Sequence, residues 1–303
     1  MRRPAPGIPY GIRSNQMSIL HPKSSTVDLP TQPVGVFDSG IGGLTVVHAL
    51  RKALPVEDIF YLGDTARLPY GTKNQATIER YSLEIAGLLL SERAKIIVVA
   101  CNTATALALP RLQDTLRVPV IGVIAPGARA AVKTTKSGRI GVIGTRATMT
   151  SGAYEQTILA LRPNATVISQ PCPLLVPLIE EGMLHGAIAE EILHLYLDPL
   201  LMERVDTLVL GCTHYPLLAP LISEIVGKGI ALVDSAENCA IAVAQLLKEL
   251  NLLNRSNELG NLDVALTDES NPFLQTAERE LSLTIDRLEK RVVQGVTMAI
   301  AER

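Results

Sequence analysis

The chain has 303 residues, 47% of them apolar and 19% charged, with a formal net charge of −2. That balance argues against global disorder and allows two hydrophobic cores. Lysines and arginines are scattered, so no basic field marks a nucleic-acid interface, and no run of eighteen apolar residues marks a membrane span.

Residues 1–33, rich in Pro, Ser and polar residues without sustained period, read as a mobile extension. They lack the continuous apolar core of a secretory signal, which leaves the cytoplasm as the expected compartment. The fold begins at PVGVFDSGIGG: Val34 to Phe37 is a short buried strand, Asp38 and Ser39 stand at its carboxyl end, and GIGG turns the chain into the helix LTVVHALRKAL. DIFYLGDT forms the next strand and ARLPYGT a loop. A helix from about Gln75 to Glu92 then precedes IIVVACNTATA, a strand that delivers Cys101 into the polar pair Asn102 and Thr103. VPVIGVIAPG, punctuated by Pro and Gly, reads as a crossover, after which RIGVIGTRAT opens a second strand series and TLVLGCTHYP brings Cys212 to Thr213, His214 and Tyr215. The chain continues through ALVDSAENCAIAVAQLLKEL with its amphipathic helix, a polar linker around Asn254 to Gly260, a last strand LDVALTD and a final helix.

Alternating strands and helices predict parallel sheets with ligands at strand carboxyl ends. Ile140 lies 106 residues after Val34, and Cys212 lies 111 residues after Cys101. Two features repeated at nearly one offset suggest duplicated halves. The expected fold is α/β, with two similar three-layer domains of mostly parallel sheet related by a pseudo-twofold and the active site in the cleft between them. The expected boundaries are 34–125 plus 236–303 for one domain and 126–235 for the other.

Cys101, Cys172, Cys212 and Cys239 show no CxxC spacing, so neither a zinc site nor a thioredoxin-like motif is indicated, and a reducing compartment keeps them as free thiols. One cysteine after an apolar strand is usually core. Two of them, ending corresponding strands of facing halves, would present a thiol to one ligand from each side. Inverting a stereocentre next to a carboxylate needs that arrangement: a thiolate removes a proton from one face while a thiol supplies one to the other. Asp38 and His214 are the neighbours that can control proton occupancy on the two sulfurs. Cys172, before Pro173, and Cys239, on a helix face, read as unreactive core. His48, His185 and His194 read as helix-surface or packing residues, and His21 as part of the extension. GIGG lacks both the GxGxxG spacing of a dinucleotide site and the GK[ST] ending of a P-loop, so a tight turn admitting a small carboxylate is preferred.

The motifs VFDSGIGGLTV, YLGDTARLPYGTK, VVACNTATA, VIGTRATMTSGAY, PLIEEG and LGCTHYPLL occur in the order seen in glutamate racemase, and the chain resembles that family, a cofactor-independent branch of the aspartate/glutamate racemase superfamily, from about Val34 to Asp234. The resemblance implies that Cys101 abstracts the proton from D-glutamate and Cys212 from L-glutamate, with Asp38 beside Cys101 and His214 beside Cys212. Asp64 and Glu180 are further acidic residues, with Glu181 competing for the place of Glu180. Asp38, Ser39, Tyr70, Gly71, Asn102, Thr103, Thr213 and His214 match substrate-contacting positions. It further implies no cofactor or metal, a homodimer, a role in supplying D-glutamate for peptidoglycan and a cell-wall precursor as a candidate effector; an effect on DNA gyrase, a trait of some members of the family, stays open. The alternatives are a racemase for another acidic amino acid such as aspartate, a decarboxylase-like lyase, disfavoured because both cysteines are kept, or a non-catalytic regulatory protein retaining the cleft.

Overall fold

Strand β1 (Val34–Asp38) is buried along its whole length, as a strand covered on both faces must be. Val34 and Val36 face a core shared with Leu44, Val47 and Leu50, while Phe37 faces another shared with Ile78, Ile85 and Ala108. In the computed structural model, which describes residues 29–268 and 273–293, the first series continues with α1 (Leu44–Ala53), β2 (Ile59–Gly63), α2 (Gln75–Ser91), β3 (Ile96–Val99), α3 (Asn102–Thr115) and β4 (Val120–Gly122). The second comprises α4 (Ile124–Thr134), β5 (Arg139–Gly144), α5 (Arg146–Thr150), α6 (Ala153–Leu161), β6 (Thr166–Pro171), α7 (Leu175–Glu180), α8 (Ala187–Met202), β7 (Thr207–Gly211), α9 (Ala219–Val226) and β8 (Ala231–Asp234). The chain ends with α10 (Ser235–Glu249), β9 (Leu262–Leu266), α11 (Phe273–Leu281) and β10 (Arg287–Lys290).

Two all-parallel sheets result, ordered β10-β9-β2-β1-β3-β4 and β6-β5-β7-β8. The order β2-β1-β3-β4 recurs as β6-β5-β7-β8, so β1 corresponds to β5 and β3 to β7, the pairs that the sequence offsets relate. Asp38 ends β1, Asp64 follows β2, Cys101 stands two residues beyond β3, Thr145 follows β5, Cys172 follows β6 and Cys212 follows β7. These six residues therefore stand at or just beyond the carboxyl end of a strand. In the second sheet Val142 and Val209 pack against Ala128 and Ile158 of α4 and α6, and Leu208 and Leu210 join the core that contains Leu193 and Leu197 of α8. Fully burying side chains of this kind contributes about 1.5–3 kcal/mol each.

Three features differ from the sequence expectation. VPVIGVIAPG does carry the chain from the first sheet to the second, but through regular elements rather than a punctuated linker: it contains β4 and then α4, with Pro126 and Gly127 inside the helix's first turn, where a missing N–H costs nothing. LDVALTD is not the last strand, because β10 adds a further edge to the first sheet. Of the expected extension, residues 1–28 with His21 lie outside the described residues, but Leu29–Thr31 forms a 3₁₀ turn and Pro30 carbonyl accepts from the Lys95 ammonium at 2.5 Å. That ammonium also pairs with the Glu57 carboxylate, both side chains being 1% exposed. Among the described residues no helix is long and apolar enough to cross a membrane.

Candidate active site

Between the carboxyl ends of the two sheets lies a cavity of about 310 Å³, within the range of small-molecule sites. Cys101 enters its wall from the first sheet and Cys212 from the second, each 5% exposed. All four cysteines are free thiols.

Cys101 caps α3: the backbone N–H of Ala104 donates to its sulfur at 3.4 Å, and its own S–H lies 3.6 Å from the Ser39 hydroxyl. Burial, together with the nearby charge of Asp38, pushes this thiol up to about 12, against the weaker opposing pull of those hydrogen bonds. Asp38 is completely buried beneath the cavity, its Oδ2 accepting from the N–H groups of Gly40 and Gly43 at 3.1 Å each and its Oδ1 from the Thr213 hydroxyl at 3.4 Å. Its carboxyl is raised by burial, with the His214 charge and those backbone donors pulling the other way.

These bonds revise the role expected of GIGG. The Gly40 and Gly43 amides face the protein's own Asp38 rather than a ligand carboxylate. The glycines are needed for close approach instead: a Cβ on Gly42 would lie 2.4 Å from His214 Nδ1, and one on Gly43 would lie 2.5 Å from Asp38 Cβ.

His214 is 3% exposed and stands between two partners, with Nδ1 3.8 Å from Cys212 Sγ and Nε2 3.2 Å from Glu180 Oε1. Burial opposes its charge, but the bonds to Cys212 and Glu180 and the nearby Asp38 outweigh that and raise it to about 10. Between the two acidic candidates at the end of α7 the structure discriminates, since Glu180 lines the cavity whereas Glu181 is exposed.

Ser39, Tyr70, Gly71, Asn102, Thr103 and Thr213 all line the cavity. Asp64 does not: it is buried behind Tyr70, accepting from the Tyr70 hydroxyl, from Arg67 Nε at 2.7 Å and from the Thr267 hydroxyl at 3.0 Å. Its place is that of an anchor for the loop carrying Tyr70 and Gly71. Cys172 was expected in a core and is indeed fully buried, yet it also lines the cavity, at the position after β6 that Asp64 occupies after β2. Burial raises its thiol as well, and its S–H points to the Gln170 carbonyl at 3.4 Å. Cys239 lies in α10, fully buried. His48 is partly buried on α1, and His185 and His194 are exposed.

Sequence reasoning missed Thr145, Thr148, Arg146, Tyr154 and Thr45. Thr145, Thr148 and Thr103 form a triangle of hydroxyls with oxygen separations of 2.9, 2.9 and 3.2 Å that joins the two halves. The signal for Thr145 was available, because the offset that carries Val34 to Ile140 also carries Ser39 to Thr145. Arg146 lines the cavity and is exposed. Thr45 on α1 donates to the Thr213 carbonyl at 2.9 Å, a second tie across the floor. Among the described residues no group of three or more His, Cys, Asp or Glu side chains is arranged to hold a metal ion.

The family model described as Asp/Glu/Hydantoin racemase matches residues 43–246. A glutamate racemase of Geobacter metallireducens is 50% identical over 253 residues, 84% of this chain and 94% of that protein. The crystal structure of glutamate racemase from Francisella tularensis in complex with D-glutamate superposes with a TM-score of 0.82 at 38% identity, covering 88% of this chain and all of that one. The Escherichia coli glutamate racemase in complex with L-glutamate and the activator UDP-MurNAc-ala does so with a TM-score of 0.72 at 29% identity, covering 87% and 100%. With two parallel sheets meeting at a two-thiol cavity, the chain belongs to the Asp/Glu/hydantoin racemase family and stands within it beside the glutamate racemases.

Proposed function

We propose that this protein interconverts L- and D-glutamate by proton transfer between Cys101 and Cys212. The observation that carries the reading is the pair of thiols, one from the end of β3 and one from its counterpart β7, in a single cavity and near enough for charge on Cys212 to act on Cys101. In the L-to-D direction the Cys212 thiolate takes the α-proton, the electron pair of the broken C–H bond is left on the α-carbon and its carboxylate, and the Cys101 thiol delivers a proton to the other face. The reverse direction exchanges the roles, and protons balance in each turnover.

His214 is placed to exchange a proton with Cys212 and is itself held by Glu180. Cys101 rests as a thiol, the form needed to donate in the L-to-D direction. For the reverse reaction the substrate ammonium, entering the cavity, acts in the direction that favours the thiolate. An α-proton is far less acidic than a thiol, so the developing carbanion needs fixed donors around the carboxylate. Ser39, Asn102, Thr103 and Thr213, with Tyr70 and Gly71, are the groups proposed to supply them.

The Francisella and Escherichia relatives, held with D- and L-glutamate respectively, support glutamate as the substrate. The wider proposal is a homodimer in the cytoplasm that supplies D-glutamate for peptidoglycan. The complex of the Escherichia relative with UDP-MurNAc-ala supports a cell-wall precursor as effector. The direct test is to incubate the purified chain with each enantiomer of glutamate and follow optical rotation. Both samples should decay to zero rotation, and unchanged rotation in both would overturn the reading.

A further inference from the structure

Asn102 carries a polar atom with no partner. The side chain is 2% exposed, its residue lines the cavity, and its Nδ2 makes no hydrogen bond. A buried amide N–H₂ left unpaired is costly, so such a group calls for an explanation. The other end of the same amide is fixed: the Tyr154 hydroxyl donates to Asn102 Oδ1 at 2.7 Å. An amide is planar, so anchoring Oδ1 to Tyr154 fixes the orientation of the group and leaves Nδ2, itself buried, as the unpaired end of a residue that lines the cavity.

Tyr154 is itself firmly seated. It is 1% exposed, and a Cβ on Gly211 would come within 3.1 Å of its ring, while one on Gly127 would lie 3.6 Å away. Burial holds its proton on well above the ordinary tyrosine range, which keeps the hydroxyl a donor. The ring thus lies against the residue that precedes Cys212, and the hydroxyl reaches the residue that follows Cys101. We propose that Tyr154 is a positioning residue, whose hydroxyl holds the Asn102 amide so that Nδ2 is presented to a carboxylate of the bound amino acid. The inference rests on the glutamate reading of the cavity.

The experiment is a double-mutant cycle on the full chain with Tyr154→Phe, Asn102→Ala and the double variant. It is read by KM and kcat in both directions and, independently of turnover, by calorimetric titration with D-glutamate. Tyr154→Phe keeps the ring and its packing, so the folded protein is expected, with KM and the calorimetric Kd raised about tenfold and kcat lowered less. In the Asn102→Ala background the same change should alter Kd by less than about twofold, because the group it orients is gone. An equal loss in both backgrounds, or a Tyr154→Phe protein whose Kd matches wild type, overturns the inference. Wild-type protein that binds D-glutamate without racemising it would contradict the proposed activity alone, since the binding cycle still decides the role of Tyr154.

Discussion

His214 Nε2 lies 3.2 Å from the Glu180 carboxylate, across the span from the loop after β7 to the end of α7. The bond fixes which ring nitrogen is left for the sulfur, since Nδ1 then faces Cys212. Glu180→Gln should therefore lower kcat about tenfold in the direction that starts from L-glutamate, whereas Glu181→Gln, on an exposed neighbour, should stay within about twofold of wild type. Steady-state rates from each enantiomer check this. Equal behaviour of the two variants would remove Glu180 from the relay.

The same histidine predicts a pH dependence of stability. Its folded value of about 10 lies above the ordinary 6.5, so between these limits the folded state holds a proton that the unfolded chain has released, and stability falls as pH rises. The contribution is complete below about pH 6.5 and is lost on passing through about pH 10. Thermal melts of wild type and His214→Asn between pH 6 and 10 should converge as pH rises. Parallel curves would show that the imidazole binds its proton equally in the folded and unfolded chain, with no raised folded value.

Replacing either candidate base by serine exchanges a thiol for a much weaker acid at almost constant volume. Cys101→Ser and Cys212→Ser should each lose racemisation by about 10²–10⁴-fold. Each should retain elimination from one enantiomer of a β-substituted analogue, since elimination needs a base on one face only. Label uptake from deuterated water into both enantiomers at near wild-type rate by Cys101→Ser would exclude the two-base route.

Under the assignment of Asp38 to Cys101 and His214 to Cys212 that the family resemblance implies, the two should act unequally on the two directions. Asp38→Asn is expected to reduce kcat more from D-glutamate and His214→Asn more from L-glutamate, by about 10²-fold in the affected direction. The equilibrium constant is untouched by either change, so the asymmetry must be matched through KM. Full progress curves from both sides test it, and identical losses in both directions for both variants would contradict the assignment.

Gly42→Ala should be costly and Gly229→Ala should not. The first places a methyl 2.4 Å from His214 Nδ1, while the second meets nothing within 4 Å. A loss of about 1–3 kcal/mol with impaired turnover is expected for Gly42→Ala, against a change within about 1 kcal/mol for Gly229→Ala. Chemical denaturation of the two variants gives the comparison.

The strands that could be read from sequence and those that could not divide along a physical line. β1, β2, β3, β5, β7 and β9 were legible because interior strands of parallel sheets are apolar on both faces, as in IIVV and TLVLG. β4, β6, β8 and β10 were not. They are the four edges of the two sheets. β6 and β10 are partly exposed and polar or charged, as TVISQP and RLEK show, whereas β4, three buried residues between Pro119 and a helix, is too short to read as a strand. The cavity was legible where a strand end carries an unusual residue into a polar cluster, as at Cys101 and Cys212. It was not legible for Tyr154 or Thr148, which reach it from helices through hydrogen bonds that no local pattern encodes. Asp64 was named for a motif it belongs to, but only the fold reveals that it acts through Tyr70.

The pairing of β9 with β2 also has a meaning in time. Val264 lies beside Tyr61 in that ladder, so the first sheet incorporates a strand that leaves the ribosome about 200 residues after its neighbour. At roughly 5–20 residues per second that interval is on the order of 10–40 s. Throughout it β2, buried from end to end in the finished protein, stands as an unpaired edge on the nascent chain, and it is there that premature pairing with another chain competes with folding.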